Sequence, residues 1–446
     1  MQEVIPVKRS KAYGSVDVKQ VVAESLWVGR EGVEAEVGVD VGKYELLAVL
    51  RWRDGNFERP WKVKNPEELG VLLDVLEKLS KKLRLQVALE PSGTYGDALR
   101  QGLADRGLAA RRVNAKASHD YAEVFDGVPS QHDGKDAAVV AELCAVGKSA
   151  AWGYAVAGEV DQEIGYQVDR LDGYRRLVQV WCGKLEGRLA RHWPEASRWL
   201  KVGGATLLRV LAEYGGPSGL AAEVPAVAEK KLQGYGGTYL KAAKIAGLLA
   251  SARGTLGVRQ TSWDRQRVGD YAREALTARR RLGEAARRLA ALTRGHAGIR
   301  ALAPVVGLNT ACVLWVGAGD PRNYYCAAAY GKALGLNLAE RSSGTQKGKL
   351  RISKRGKAAS RRWLYFAALR WAHRPQVRPW YERKKARDGQ GAKRALVGLM
   401  RKLARALYQV GGCGATFDPR RLFPGGGHTG AVGVPAVAGK GGVMDQ

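Results

Sequence analysis

Acidic charge, cysteine, histidine and long apolar runs are all scarce in this 446-residue chain, and each scarcity removes a class of protein. The five cysteines, Cys144, Cys182, Cys312, Cys326 and Cys413, include no C-x-x-C pair, and the six histidines do not stand near them at zinc-finger spacing. A disulfide-stapled scaffold and a cysteine–histidine zinc site are excluded, and the thiols read as reduced. No stretch approaches the ~20 apolar residues of a membrane helix. Met1 to Arg30 mixes Lys8, Arg9, Lys11, Asp17, Lys19 and Glu24 with isolated valines, so neither a secretory leader nor a membrane partner is expected, and a cytoplasmic location is. What the chain has in excess is positive charge: 73 Lys and Arg against 43 Asp and Glu give +30. With 46% hydrophobic residues it lies on the globular side of the disorder boundary, and a folded polyanion-binding protein is the first expectation.

The charge is unevenly placed. Residues 1–150 carry 22 cationic and 23 acidic side chains, whereas residues 341–402 carry 20 and 2. A near-neutral N-terminal third has carboxylates to spend on metal binding. The C-terminal segment is best neutralised by phosphates, because a merely solvated surface mixes the two signs.

Strand patterns run through Val37–Gly42, Leu46–Trp52 and Phe57–Val63, with a turn at Asp54-Gly55-Asn56. Asn65 and Pro66 then predict a helix start, and Leu69, Leu72, Leu73, Leu76 and Leu79 a helix ending near Lys82. A strand over Leu85–Glu90, a helix over Tyr95–Asp105, a strand over Ala110–Val113 and a helix over Asp133–Ala145 follow. Three antiparallel strands followed by alternating helix and strand have the order of a ribonuclease H-like α/β layer. Beyond Gly158 the pattern is all-helical. Val268, Ala275, Leu282 and Leu289, with Tyr271, Ala278, Ala285 and Leu292, form a coiled-coil seam, equally readable as an amphipathic helix packed within its own domain. Ala303 to Ala311 resembles the turn of a helix-hairpin-helix, whose amides hold a phosphate. Trp363, Tyr365, Trp371, Trp380 and Tyr381 alternate with arginines and suit either stacking on unpaired bases or a helical core.

Four acids stand out. Asp40 lies within an apolar strand, where a carboxylate is costly unless paired or metal-bound. Glu90 ends a later strand, and Asp133 and Asp136 share one face of a helix at i,i+3. Converging, they would supply oxygen ligands for two hard divalent cations at the ~3.5–4 Å separation used in phosphodiester chemistry. Gly42 disfavours a D-x-E exonuclease. A helical, basic second half lacks the repeated phosphate loop of an actin-like ATPase, so a RuvC-like site fits best.

The segments Val37-Gly38-Val39-Asp40-Val41-Gly42-Lys43, Leu89-Glu90-Pro91-Ser92-Gly93-Thr94-Tyr95, Val113-Asn114-Ala115-Lys116 and Asp133-Gly134-Lys135-Asp136-Ala137-Ala138 resemble, in order and spacing, the DEDD transposases of the insertion-sequence 110/1111 family. Pro304 to Ala311, Gly319-Asp320-Pro321, Tyr330 to Leu336, Ser342-Ser343-Gly344 and Arg351 to Gly356 are similar to the family's C-terminal domain.

The resemblance, which covers about residues 33–410, implies an α/β plus all-α architecture: a ribonuclease H/RuvC-like DEDD domain (33–155), a helical coiled-coil region (156–294) and a helical transposase domain (295–410); composition adds a flexible extension (1–32) and a Gly-rich disordered tail (411–446). It implies that Asp40, Glu90, Asp133 and Asp136 hold Mg²⁺. Ser343 is the implied nucleophile, the doubled Ser342-Ser343 leaving the position open by one. Around it Arg341, Lys347, Lys349, Arg351, Lys354, Arg355, Arg361 and Arg362 would clamp the phosphates of the strand being cut.

Family membership further implies an RNA-guided recombinase of a prokaryotic, nucleoid-associated kind. Its partners would be donor and target DNA and a structured bridge RNA, and it would assemble as a tetramer, a dimer of dimers whose sites are completed between protomers. A serine hydroxyl needs activation, and no histidine lies in the Ser343 segment, so metal is the natural activator. The alternatives are a water-using junction-resolving nuclease and a basic RNA-binding scaffold with idle carboxylates.

Overall fold

The computed structural model describes residues 14–127, 133–154, 157–340, 348, 351–353, 355–389 and 391–423. The chain divides into two compact units, Met1–Ala157 and Gly158–Gln446.

The first unit contains, in chain order, β1 (Val16–Asp17), α1 (Ala23–Trp27), β2 (Glu34–Val41), β3 (Glu45–Trp52), β4 (Trp61–Lys64), α2 (Leu69–Lys82), β5 (Arg84–Leu89), α3 (Asp97–Asp105), β6 (Ala110–Val113), α4 (Ala115–Asp126), α5 (Asp133–Ala145) and β7 (Ser149–Ala151). The sheet order is β1-β4-β3-β2-β5-β6-β7. β2 pairs antiparallel with β3 and parallel with β5, and β6 continues parallel from β5, so the antiparallel meander becomes a parallel layer at β2. This is the ribonuclease H/RuvC-like arrangement expected from the order of elements.

Both faces of the centre are covered, as a parallel layer requires. Val37 and Val39 of β2 join Leu72, Leu76 and Leu79 of α2 and Leu99 and Leu103 of α3 in one core. Each such fully buried side chain contributes roughly 1.5–3 kcal/mol relative to exposure. Helices α4 and α5 cover the opposite face.

Two boundaries differ from expectation. Helix α2 begins at Leu69, because the Glu68 carboxylate turns back to accept the Lys64 amide (2.9 Å) and closes a turn over Asn65–Pro66. The extension expected to be loose over 1–32 is packed over 14–32. β1 pairs with β4, Val18 is fully buried, and Lys19 and Glu24 reach Glu68 (2.7 Å) and Lys78 (3.0 Å). Isolated valines carry no periodic signal, yet Val18 is buried at the sheet edge with Val16 and Val21 packed beside it.

The second unit is helical: α6 (Glu159–His192), α7 (Ala196–Trp199), α8 (Ala205–Tyr214), α9 (Pro217–Ala222), α10 (Pro225–Gly236), α11 (Ala242–Arg253), α12 (Ser262–Leu292), α13 (Ala297–Val306), α14 (Leu308–Ala318), α15 (Ala327–Ala333), a two-stranded ribbon β8 (Leu338–Ala339) and β9 (Arg351–Ile352), then α16 (Ala358–Ala372), α17 (Arg378–Arg387), α18 (Ala392–Gly412) and α19 (Pro419–Leu422). The long helices α6 and α12 run antiparallel: Glu163 meets Arg288 (2.5 Å), Trp181 meets Tyr271 (5.4 Å between rings) and His192 approaches Asp264 (3.7 Å). A capping box between Thr261 and Asp264 starts α12. Its seam residues Val268, Ala275, Ala278, Ala285 and Leu289 are buried, so within this chain the a/d stripe packs into the unit's own core.

The aromatic residues of the basic segment divide. Trp363 and Trp371 are buried and donate their indole N–H groups to Asp172 (2.8 Å) and the Val305 carbonyl (2.7 Å), so the core reading holds for both and base stacking does not. The tail expected to be disordered from 411 is ordered to Phe423, whose ring packs against Trp371 and Trp380; residues 424–446 lie outside the described residues. No helix among the described residues is long and apolar enough to cross a membrane.

Candidate metal centre

Alternation along β2 builds the site. Ala35, Val37, Val39 and Val41 enter the core under α2 and α3. Glu36, Gly38 and Asp40, two apart, therefore share the other face, which α5 crosses. Gly38 is the contact point: a Cβ there would collide with the Ala137 carbonyl oxygen and the Ala141 amide nitrogen, so the helix lies directly on the strand backbone. One end of the crossing is tied by Arg51, which donates to Glu142 of α5 (2.5 Å) and reaches Glu36 (3.5 Å). Near the other end, the fully buried Lys135 ammonium pairs with Asp126 of α4 (2.6 Å). Helix α5 is thus fixed in height by glycine and at both ends by ion pairs.

With α5 so placed, carboxylate oxygens of Asp40, Asp133 and Asp136 all lie within 4.8 Å of one another. Asp133 and Asp136 occupy the first turn of α5, where the helix dipole favours negative charge. Asp40 has no such support. Its carboxyl is pushed up to about 6 from an ordinary 3.8 by burial first, then by the charges of Asp136, Asp133 and Glu90. Glu90 follows the end of β5, one residue beyond the Val39–Leu89 pair, beside Asp40 in register. It is close enough to raise Asp40, but it is not one of the three mutually close carboxylates. Of the four expected ligands, the structure brings three together and leaves Glu90 at their edge.

The donor set suits a hard divalent cation: it is all oxygen, carries three charges and opens at a helix N-terminus where Asp133 is exposed. Soft or borderline metals would want sulfur or imidazole. The like-charge crowding that disfavours ionised Asp40 is what a bound cation would relieve.

Sequence reasoning passed over Gly38 and Lys135. A glycine inside an otherwise β-branched strand was the available signal for the first. Nothing local marks the second, because its partner Asp126 belongs to another helix.

The other expected site residues divide. Ser342, Ser343, Arg341, Lys347, Lys349 and Lys354 lie outside the described residues. Arg351 and Arg355 are exposed, and Arg361 donates to the Gly335 carbonyl (3.4 Å). Arg362 is engaged internally, its guanidinium donating to both oxygens of buried Asp172 (2.6 and 2.7 Å). The expected hairpin is present as α13, Gly307 at φ +85° and α14.

A ribonuclease H/RuvC-like sheet with three carboxylates at its centre, followed in the chain by a basic helical unit, defines a class of enzymes that process polynucleotides and depend on divalent metal. The comparisons narrow the class. Residues 37–151 match the family model of the DEDD transposase of the IS110 type, and residues 302–382 match the model described as Transposase IS116/IS110/IS902 family. Two separate stretches of the chain thus match models of IS110-family transposases, and these domains indicate a DNA-cleaving and recombining enzyme. Among solved structures, T. thermophilus RuvC in complex with a Holliday junction substrate is 13% identical with a TM-score of 0.22, the match covering 27% of this chain and 99% of RuvC. No curated protein matches the chain.

Proposed function

We propose that this transposase is an RNA-guided DNA recombinase that cuts and rejoins strands through a serine nucleophile with Mg²⁺ held by Asp40, Asp133 and Asp136, Glu90 adding charge at the edge. The observation that carries the reading is the convergence of the three carboxylates on one face of the sheet. Bound there, the cation would polarise a phosphate and favour the alkoxide of an attacking hydroxyl. The chain's own residues do the rest. Asp40, Asp133 and Asp136 supply the negative field that selects a divalent over a monovalent cation. Gly38, Lys135 and Arg51 keep α5 at the height that field requires. Ser343 Oγ, losing its proton, bonds to phosphorus as the bond from phosphorus to the deoxyribose oxygen breaks and that oxygen takes up a proton. The phosphoserine conserves the ester for rejoining, and the reverse attack by a deoxyribose hydroxyl restores the serine.

In this reading residues 33–155 are the catalytic domain, 156–294 the helical region and 295–410 the domain bearing the nucleophile, working as a tetramer at the nucleoid. RNA guidance rests on the family resemblance; the +30 charge suits a polyanion of either kind. If base pairing with RNA chooses the site, the protein reads phosphates and duplex shape.

Two results test the proposal. Ser343→Ala should abolish strand exchange and the covalent protein–DNA species together; exchange persisting in both Ser343→Ala and Ser342→Ala would establish hydrolysis by water. Sequencing of copurified RNA should return one structured species with two loops complementary to DNA sites, whereas random cellular RNA would remove the guide from the mechanism.

A further inference from the structure

Arg362, Phe366, Arg370 and Arg374 recur every four residues along α16 and the turn that follows it, and so share one face. Arg175 of α6 enters this row from the side. Its guanidinium carbon lies 4.2 Å from the centre of the Phe366 ring and 5.1 Å from that of Trp363. Arg374 stacks on Trp371 at 3.9 Å. Arg370 donates to the Val306 carbonyl (3.0 Å) and the Thr310 hydroxyl (3.4 Å), at the turn where α13 ends and α14 begins.

Counter-charge does not match this concentration. Asp172 is committed to Arg362, Arg176 and the Trp363 indole. Among the described residues neither Arg175 nor Arg374 makes a side-chain hydrogen bond or an ion pair, the Asp172 charge reaching Arg175 only at a distance, and the buried Nε atoms of Arg175 and Arg362 are unpaired. Burial holds Arg175, Arg370 and Arg374 below the usual guanidinium range, with neighbouring arginines adding to the effect at Arg175 and Arg370. Aromatic stacking orients Arg175 and Arg374 but leaves the outer N–H groups of their guanidinium forks free, whereas one Arg370 nitrogen is spent on Val306 and Thr310; guanidinium forks match phosphate oxygens in pairs.

We propose that Arg175, Arg370 and Arg374 form a phosphate-binding row that holds successive phosphodiester groups of one nucleic-acid strand. Arg370 and Arg374 are four residues apart across the end of α16, where a continuing helix would set side chains ~6 Å apart, comparable to the step between neighbouring phosphates. The first-turn amides of α14, beside Arg370, extend the row. The site rests on the reading of the chain as a recombinase of nucleic acids, and DNA and guide RNA offer the same phosphodiester chemistry.

The test uses the full chain in EDTA, so that no strand exchange is required. Affinity for a 30-base-pair mixed-sequence DNA duplex and for an RNA duplex of the same length is measured against salt concentration. Arg175→Gln/Arg374→Gln should flatten the logarithmic salt dependence by about 2 on at least one duplex, since each lost phosphate contact removes about 0.9. The duplex affected identifies the strand. Should the double variant fail to fold, as judged by its helical circular dichroism, Arg374→Gln alone should flatten it by about 1. Wild-type binding with slopes unchanged in the variants, on both duplexes, overturns the row and leaves the recombinase reading intact; a wild-type chain that binds neither duplex overturns both.

Discussion

The carboxylate cluster of the first unit and the arginine row of the second are both crowds of one charge, held by opposite means. Asp40, Asp133 and Asp136 are set by backbone: a strand, a helix, and a glycine that lets them touch. The arginines are set by side chains stacked on Phe366 and Trp371, with Asp172 anchoring Arg362. A metal demands ligands placed to fractions of an ångström, which main-chain packing delivers. A phosphate backbone varies in path, and long side chains on aromatic rings can follow it.

Substitutions break the comparison in order of expected effect. Removing the anchor of the arginine side is the most damaging to the fold. Asp172 is buried; burial alone would raise its pKa, but bonds from Arg362, Trp363 and Arg176 outweigh this and hold it below the ordinary range. Asp172→Asn leaves Arg362 half-buried without its partner and should cost about 3–5 kcal/mol in urea unfolding. On the acidic side, Gly38→Ala forces α5 off β2. It should cost about 1–3 kcal/mol by overpacking and, unlike Asp172→Asn, should also remove the stabilisation conferred by added Mg²⁺ in thermal melts.

The smallest effect has the opposite sign. Folded Asp40 titrates near 6, above its ordinary 3.8, so over that window the folded chain keeps a proton that the unfolded chain has released. Stability from this group is therefore greatest below about pH 4 and falls as pH rises to about 6. Without metal at pH 7, Asp40→Asn should be more stable than wild type by about 1–2 kcal/mol, discounted for partial exposure. The difference should vanish near pH 4. A destabilised Asp40→Asn would mean the acids are not in conflict.

Sequence patterns carried the sheet because β2, β3 and β5 are buried runs and α2 has a clear apolar face; the bounds of α5 at Asp133 and Ala145 were readable directly. Asp40 was legible as a charge out of place, and Asp133 with Asp136 as a spacing. What escaped depended on distant partners. Helix α4 was not anticipated, because its apolar positions, Ala117, Tyr121, Ala122 and Phe125, include two alanines and gain meaning only against α5. β7 is three small residues that pair with β6 only in the fold. The alternation of tryptophan and arginine suggested base stacking, whereas helical geometry sends Trp363 and Trp371 inward and leaves arginines outside, with Arg175 arriving from a helix about 190 positions earlier.

Calorimetric titration of Mn²⁺ or Mg²⁺ into the metal-free full chain tests the central claim most directly. Saturable binding in the wild type, abolished by Asp136→Asn and only weakened by Glu90→Gln, is the predicted result; equal binding by wild type and Asp136→Asn would contradict it.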